Sequence, residues 1–169
     1  MSSDNSASNG YGGAARRTPT TLVVGLGNPI LGDDGIGWRV ADSVRAIKPD
    51  VEVDCLALGG LSLMERLVGY ERVIIIDSIQ TQQGNLGQVY QFALDEIPDL
   101  SAGHTTAAHD TSLQTALRMG RAMGAELPDE VLVVCIEADR VYDFSEELTP
   151  QVEAAIPEAT QAVLDLLNG

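Results

Sequence analysis

Residues Leu22–Gly37, LVVGLGNPILGDDGIG, decide how the rest of the chain is read. The apolar run from Thr21 to Leu26 predicts a strand buried on both faces. A glycine-rich turn follows, and then apolar residues at Ile36, Val40, Val44 and Ile47. That spacing of three to four predicts a helix with one buried face. Strand, tight turn and helix open a parallel α/β unit.

The pattern repeats outward. VEVDCLAL (51–58), ERVIIIDSI (71–79) and EVLVVCIEA (130–138) predict strands, with LSLMERLVGY (61–70) a short helix between the first two. LGQVYQFAL (86–94) alternates, as an edge or antiparallel strand does. DTSLQTALRMGRAMG (110–124) predicts a helix with Leu113, Ala116, Leu117 and Ala122 on or near one face, and Asp110 as its N-cap. Thr149 and Pro150 predict the N-cap and first turn of a final helix reaching Leu167. The expected fold is α/β: a three-layer α/β/α sandwich with a mostly parallel central sheet of about five strands and about four helices. Residues 20–169 are expected to form one domain, and the Ser/Asn/Gly-rich residues 1–19 a disordered tail.

Composition narrows the function classes. Ten basic against 25 acidic residues give a net charge of −15, which disfavours nucleic acid and anionic lipid. Cys55 and Cys135 both lie in apolar runs and are expected to be buried thiols rather than a disulfide or metal pair. No stretch reads as a membrane span or a secretory signal, so the expected location is cytoplasmic.

Ligands of open α/β sheets bind beyond the carboxyl ends of the strands, so the polar residues there are the candidates. After the first strand come Asn28, Asp33 and Asp34; after the third, Asp77; after the last, Glu137 and Asp139. The glycine turn is neither GxGxxG nor a P-loop, since Ile30 stands at the third glycine's place and the Lys-Ser/Thr pair is missing. Asp33 reads as the N-cap of the first helix, leaving Asp34 for function. Asp77 reads either as a cap on the next turn or as a carboxylate held for a cation. Asn28 reads first as a turn residue, second as a group that orients a carboxylate or polarises a carbonyl. His109, beside Asp110, would sit at a helix N-terminus, where the dipole favours neutral, metal-binding imidazole. His104 reads as a loop residue. Asp34, Asp77 and His109 together suit a borderline divalent ion with open positions.

These segments resemble the nickel-iron hydrogenase maturation endopeptidases. LVVGLGNPILGDDGIG carries the most specific part of the likeness, followed in order by IIIDSI, HDTSLQTAL and LTPQVEAAIPEATQAVLDLL. The resemblance implies an α/β sandwich that removes a C-terminal extension from a hydrogenase large-subunit precursor after nickel insertion, with nickel carried by that substrate. It carries the family's metal-contacting acids onto Asp34, where many members have Glu, and Asp77, and the family's histidine onto His109. Water would be the nucleophile, activated by nickel or by Asp34 or Asp77 as general base. A non-catalytic, nickel-dependent checkpoint and a nucleotide-binding module are the rival readings. Trp38, Tyr142 and the polar segment 138–148 are candidates for contact with a partner, against packing or capping roles for the same residues.

Overall fold

The computed structural model describes residues 20–96, 112–139 and 141–169. The expected tail, His104, His109 and Asp110 lie outside the described residues. The elements run β1 (Thr21–Leu26), a 3-10 turn (Gly32–Gly35), α1 (Ile36–Ile47), β2 (Glu52–Leu56), α2 (Gly60–Arg66) and β3 (Arg72–Ile79). After these come β4 (Val89–Ala93), a short 3-10 turn (Leu94–Glu96), α3 (Leu113–Ala122), β5 (Glu130–Glu137), α4 (Pro150–Ala154) and α5 (Ile156–Asn168). The sheet order is β2-β1-β3-β5-β4. Four strands are parallel, and β4 pairs antiparallel with β5 at one edge.

The central strands are apolar throughout because both of their faces are covered. Val23, Ile74, Ile76, Val134 and Ile136 face α1, α4 and α5. Leu22, Val24, Val73, Ile75 and Val133 face α2 and α3. The three-layer α/β/α sandwich with five strands is therefore the observed architecture. Among the described residues, no helix is long and apolar enough to cross a membrane.

Several local expectations change. Ile36, Val40 and Val44 are buried on α1, but Ile47, the last residue of the helix, is 56% exposed. On α3 the third buried position is Gly120, not Ala122; a Cβ at 120 would stand 2.8 Å from Leu127 and 3.0 Å from Met64 Sδ. The N-cap of α3 is Ser112, whose hydroxyl accepts from the Thr115 amide at 3.2 Å. The final helix divides at Ala155 into α4 and α5. Pro157 has no amide to offer the Glu153 carbonyl, so the α-helical ladder is interrupted at that point. Cys135 is buried, whereas Cys55 is only partly so, because β2 is the other edge of the sheet.

The β1–α1–β2 connection places β2 on one side of β1, while β3, β5 and β4 lie on the other. The carboxyl ends of neighbouring β1 and β3 thus flank the topological switch point, where open α/β sheets form a crevice. Asp77 ends β3 at this crevice, and the turn after β1 closes it from the other side.

Candidate active site

The turn after β1 owes its shape to glycine. Gly27 has φ +123°, and a Cβ there would lie 1.9 Å from the Asp34 carbonyl oxygen. Gly37 presses α1 onto the sheet, with Leu26 O and Ile76 O at 2.2 and 2.6 Å from where its Cβ would be. A side chain at either position would push the turn away from β1 and β3. Asn28 accepts from the Ile30 amide at 3.2 Å, the Asx-turn role read from sequence.

Adjacent Asp33 and Asp34 face different surroundings. Asp33 is fully buried. It is not the α1 N-cap, which is Gly35 and has no side-chain cap bond. Its carboxylate accepts from the Thr149 amide at 2.7 Å, the Thr149 hydroxyl at 3.0 Å and the Asp139 amide at 3.4 Å. A buried carboxylate needs several donors, and these come from the far end of the chain. Thr149 consequently holds the N-cap position of α4 without capping it by its own side chain.

Asp34 points into the crevice. Its Oδ2 accepts from the Asn28 amide at 2.7 Å and its Oδ1 from the Ser78 hydroxyl at 3.2 Å. Asp77 is partly buried and accepts from the Ser78 amide at 2.8 Å through Oδ1. Ser78 therefore links the two carboxylates, one through its hydroxyl and one through its amide. Burial pushes Asp77 up to about 7; the Ser78 amide opposes this, and the Asp34 charge adds to it. A carboxyl group poised near neutrality can both take and return a proton. Ser78 is not among the residues singled out from the sequence; its one local signal is its place directly after a strand-end acid.

Two clefts share these carboxylates. One, of about 820 Å³, extends from Asp34 and Asp77 along an apolar wall that includes Leu58, Leu63, Ile79, Phe92 and Leu113. The other, of about 270 Å³, is lined also by Leu31, Gln80 and Tyr142. Among the described residues, no group of three or more His, Cys, Asp or Glu gathers as a cation cage. Two carboxylates supply oxygen donors that fit an incoming divalent ion, with the remaining positions left to other ligands.

The remaining candidates separate. Glu137 is buried and its carboxylate accepts from the Thr81 amide and hydroxyl, both at 2.8 Å, and from Tyr90 at 3.3 Å. It holds the β3–β4 connection. Asp139 is exposed, and its carbonyl accepts from Gln80 at 2.7 Å. Trp38 is partly buried and donates to the Leu56 carbonyl at 3.3 Å, so it fastens α1 to β2. Cys135 lies beside Asp77 in the sheet, and burial with the Asp77 charge pushes its thiol up to about 12. A thiol held protonated to that degree is a poor nucleophile.

Comparison with known proteins places the chain in a family. The family model described as hydrogenase maturation protease matches residues 42–166, a span that contains Asp77 and begins after Asp34. The hydrogenase 2 maturation protease of Escherichia coli is 30% identical over 150 residues, which is 87% of this chain and 90% of that protein. The structure of the E. coli hydrogenase maturating endopeptidase HybD superposes with a TM-score of 0.71 at 29% identity, over 88% of this chain and 91% of that one. A hydrogenase 2 maturation peptidase from a Thaumarchaeota archaeon superposes with a TM-score of 0.62 at 31% identity, covering 88% and 97% of the two chains. Shared fold and family match lead to one conclusion: the chain belongs to the hydrogenase maturation protease family and is a peptidase.

Proposed function

We propose that this peptidase removes the C-terminal extension of a nickel-iron hydrogenase large-subunit precursor, in the cytoplasm, after nickel has entered that precursor. The observation that carries the reading is the Asp34–Ser78–Asp77 arrangement in an open crevice, with Asp77 titrating near neutrality. The nickel arrives with the substrate. Asp34, Asp77 and, by resemblance, His109 are the groups that would contact it, a donor set suited to a divalent ion.

In this reading the ionised Asp77 takes a proton from water, and the water oxygen attacks the scissile carbonyl carbon. The carbon–nitrogen bond then breaks as Asp77 returns the proton to the leaving amine. Asp34, held by Asn28 and Ser78, would present its carboxylate to the metal that the substrate brings. The apolar wall of the larger cleft suits an extended segment of the precursor.

The test is incubation with nickel-loaded and nickel-free precursor, followed by intact-mass measurement. The proposal expects a discrete C-terminal loss with the loaded precursor, none with the nickel-free form, and none with Asp34→Ala. A loaded precursor that is bound but left whole by the wild-type protein would turn the reading into a checkpoint role.

A further inference from the structure

Tyr142 and Phe144 are 83% and 88% exposed, and among the described residues they are the strongly exposed aromatic side chains. They do not sit on a slack loop. Val141 is buried in the core beside α1 and α5. Ser145 bonds the turn after β1 in both directions: its amide donates to Ile30 O at 3.1 Å, and its carbonyl accepts from the Gly32 amide at 2.7 Å. Arg39 donates to Glu146 O at 3.1 Å, and Thr149 is fastened by Asp33. Two aromatic rings are thus held toward solvent by a segment fixed at both ends. Aromatic area that could have been buried but is instead presented on a fixed platform marks an interaction site.

The platform adjoins the crevice. Tyr142 itself lines the smaller cleft with Asp34, Asp77 and Ser78. Asp143, Glu146 and Glu147 are exposed around the rings. The whole chain carries a net charge of −15. A second copy would bring acid against acid, so a basic partner fits better than self-association.

We infer that Tyr142 and Phe144 are docking anchors for the folded body of the protein substrate, which meets them with an apolar patch rimmed by lysine and arginine. This rests on the peptidase reading above. It assigns the body of the substrate to one side of the carboxylates and the segment to be cut to the other.

The experiment measures binding and cleavage of the nickel-loaded precursor by wild type, Phe144→Ser and Tyr142→Ser/Phe144→Ser. Both side chains are exposed, so the variants keep the fold. The inference expects at least a tenfold weaker Kd for the double variant. For Phe144→Ser it expects a raised KM with turnover at saturating precursor changed less than twofold. Raising the salt concentration should weaken wild-type binding as well. An unchanged Kd in the double variant, with wild type still cutting, overturns the inference and leaves the peptidase reading standing. Sedimentation of the protein alone gives the other arm: a dimer that the double variant dissolves assigns the patch to a second copy and overturns it too. If wild type neither binds nor cuts the loaded precursor, the peptidase reading falls, and the inference with it.

Discussion

Ser78 donates its hydroxyl to Asp34 across 3.2 Å, although 44 positions of chain separate the two residues. The same serine gives its amide to Asp77 at 2.8 Å. One residue at the end of β3 thereby sets the relative placement of both crevice carboxylates. Replacing it by alanine leaves the backbone bond to Asp77 and removes only the bond to Asp34. Loss of a hydrogen bond to a charged group is worth roughly 1.5–3 kcal/mol, so Ser78→Ala should slow cleavage on the order of 10–100-fold. Ser78→Thr should restore most of the rate. Steady-state kinetics on the precursor, with thermal melting as the control for folding, checks both variants.

Neighbouring Asp33 and Asp34 should separate cleanly by mutation. Asp33→Ala takes the acceptor from the part-buried amide and hydroxyl of Thr149, empties a fully buried position, and should cost roughly 2–4 kcal/mol of stability. Asp34→Ala, whose two donors Asn28 and Ser78 lie in the open crevice where water can replace the carboxylate, should cost less stability than Asp33→Ala while abolishing cleavage. Urea unfolding of the two variants beside a cleavage assay tests the division. Equal losses of stability would contradict it.

The Asp77 carboxyl makes stability depend on pH in a stated direction. Its folded-state value, about 7, lies above the ordinary carboxylate range. Between roughly pH 4 and pH 7 the folded protein holds a proton there that the unfolded chain has lost, so this group's contribution falls as pH rises through that window. Asp77→Asn should therefore be more stabilising at pH 8 than at pH 4.5, by roughly 1–3 kcal/mol once partial solvent access is discounted. Denaturation midpoints at the two pH values decide the sign.

Activity should run the other way. A general base works ionised, so kcat/KM should climb with pH and level off above about 7, and Asp77→Asn should remove that limb with most of the activity. A flat profile in wild type would move the base elsewhere.

Gly27 offers a backbone test. Alanine would meet the Asp34 carbonyl 1.9 Å away from a backbone held at φ +123°. The turn must open, so Gly27→Ala should lose roughly 1–3 kcal/mol and most of the cleavage rate together. Melting and cleavage measured on one preparation would show whether the two losses coincide.

Much of this molecule was written locally. The runs at Leu22–Val24, Val73–Ile76 and Val131–Ile136 are apolar at every position because their neighbours cover both faces, and that covering shows as an unbroken run. The three-to-four spacing of Ile36, Val40 and Val44 marks α1 for the same reason. The alternation at 86–94 showed an edge strand, and Pro157 lies in sequence at the break in the final helix. The rule that sites lie beyond strand ends singled out Asp34 and Asp77, which the fold brings to one crevice.

Partnership across the chain was not local. Asp33 beside a helix start looks like a cap until Thr149, 116 positions away, takes its carboxylate. Nothing in the residues around Ser78 says that its hydroxyl will meet Asp34, because the meeting depends on β1 and β3 becoming neighbours. Ile47 was apolar at the right spacing and still faces water, at the last residue of α1. Sequence by itself determined the elements, their buried faces and the acids at their ends, because these follow from periodicity and short-range sterics. The tertiary structure alone decided which acid is bolted into the interior, which pair shares Ser78, and which aromatics stay in solvent, because hydrogen bonds and burial depend on strand order and on the path of distant segments.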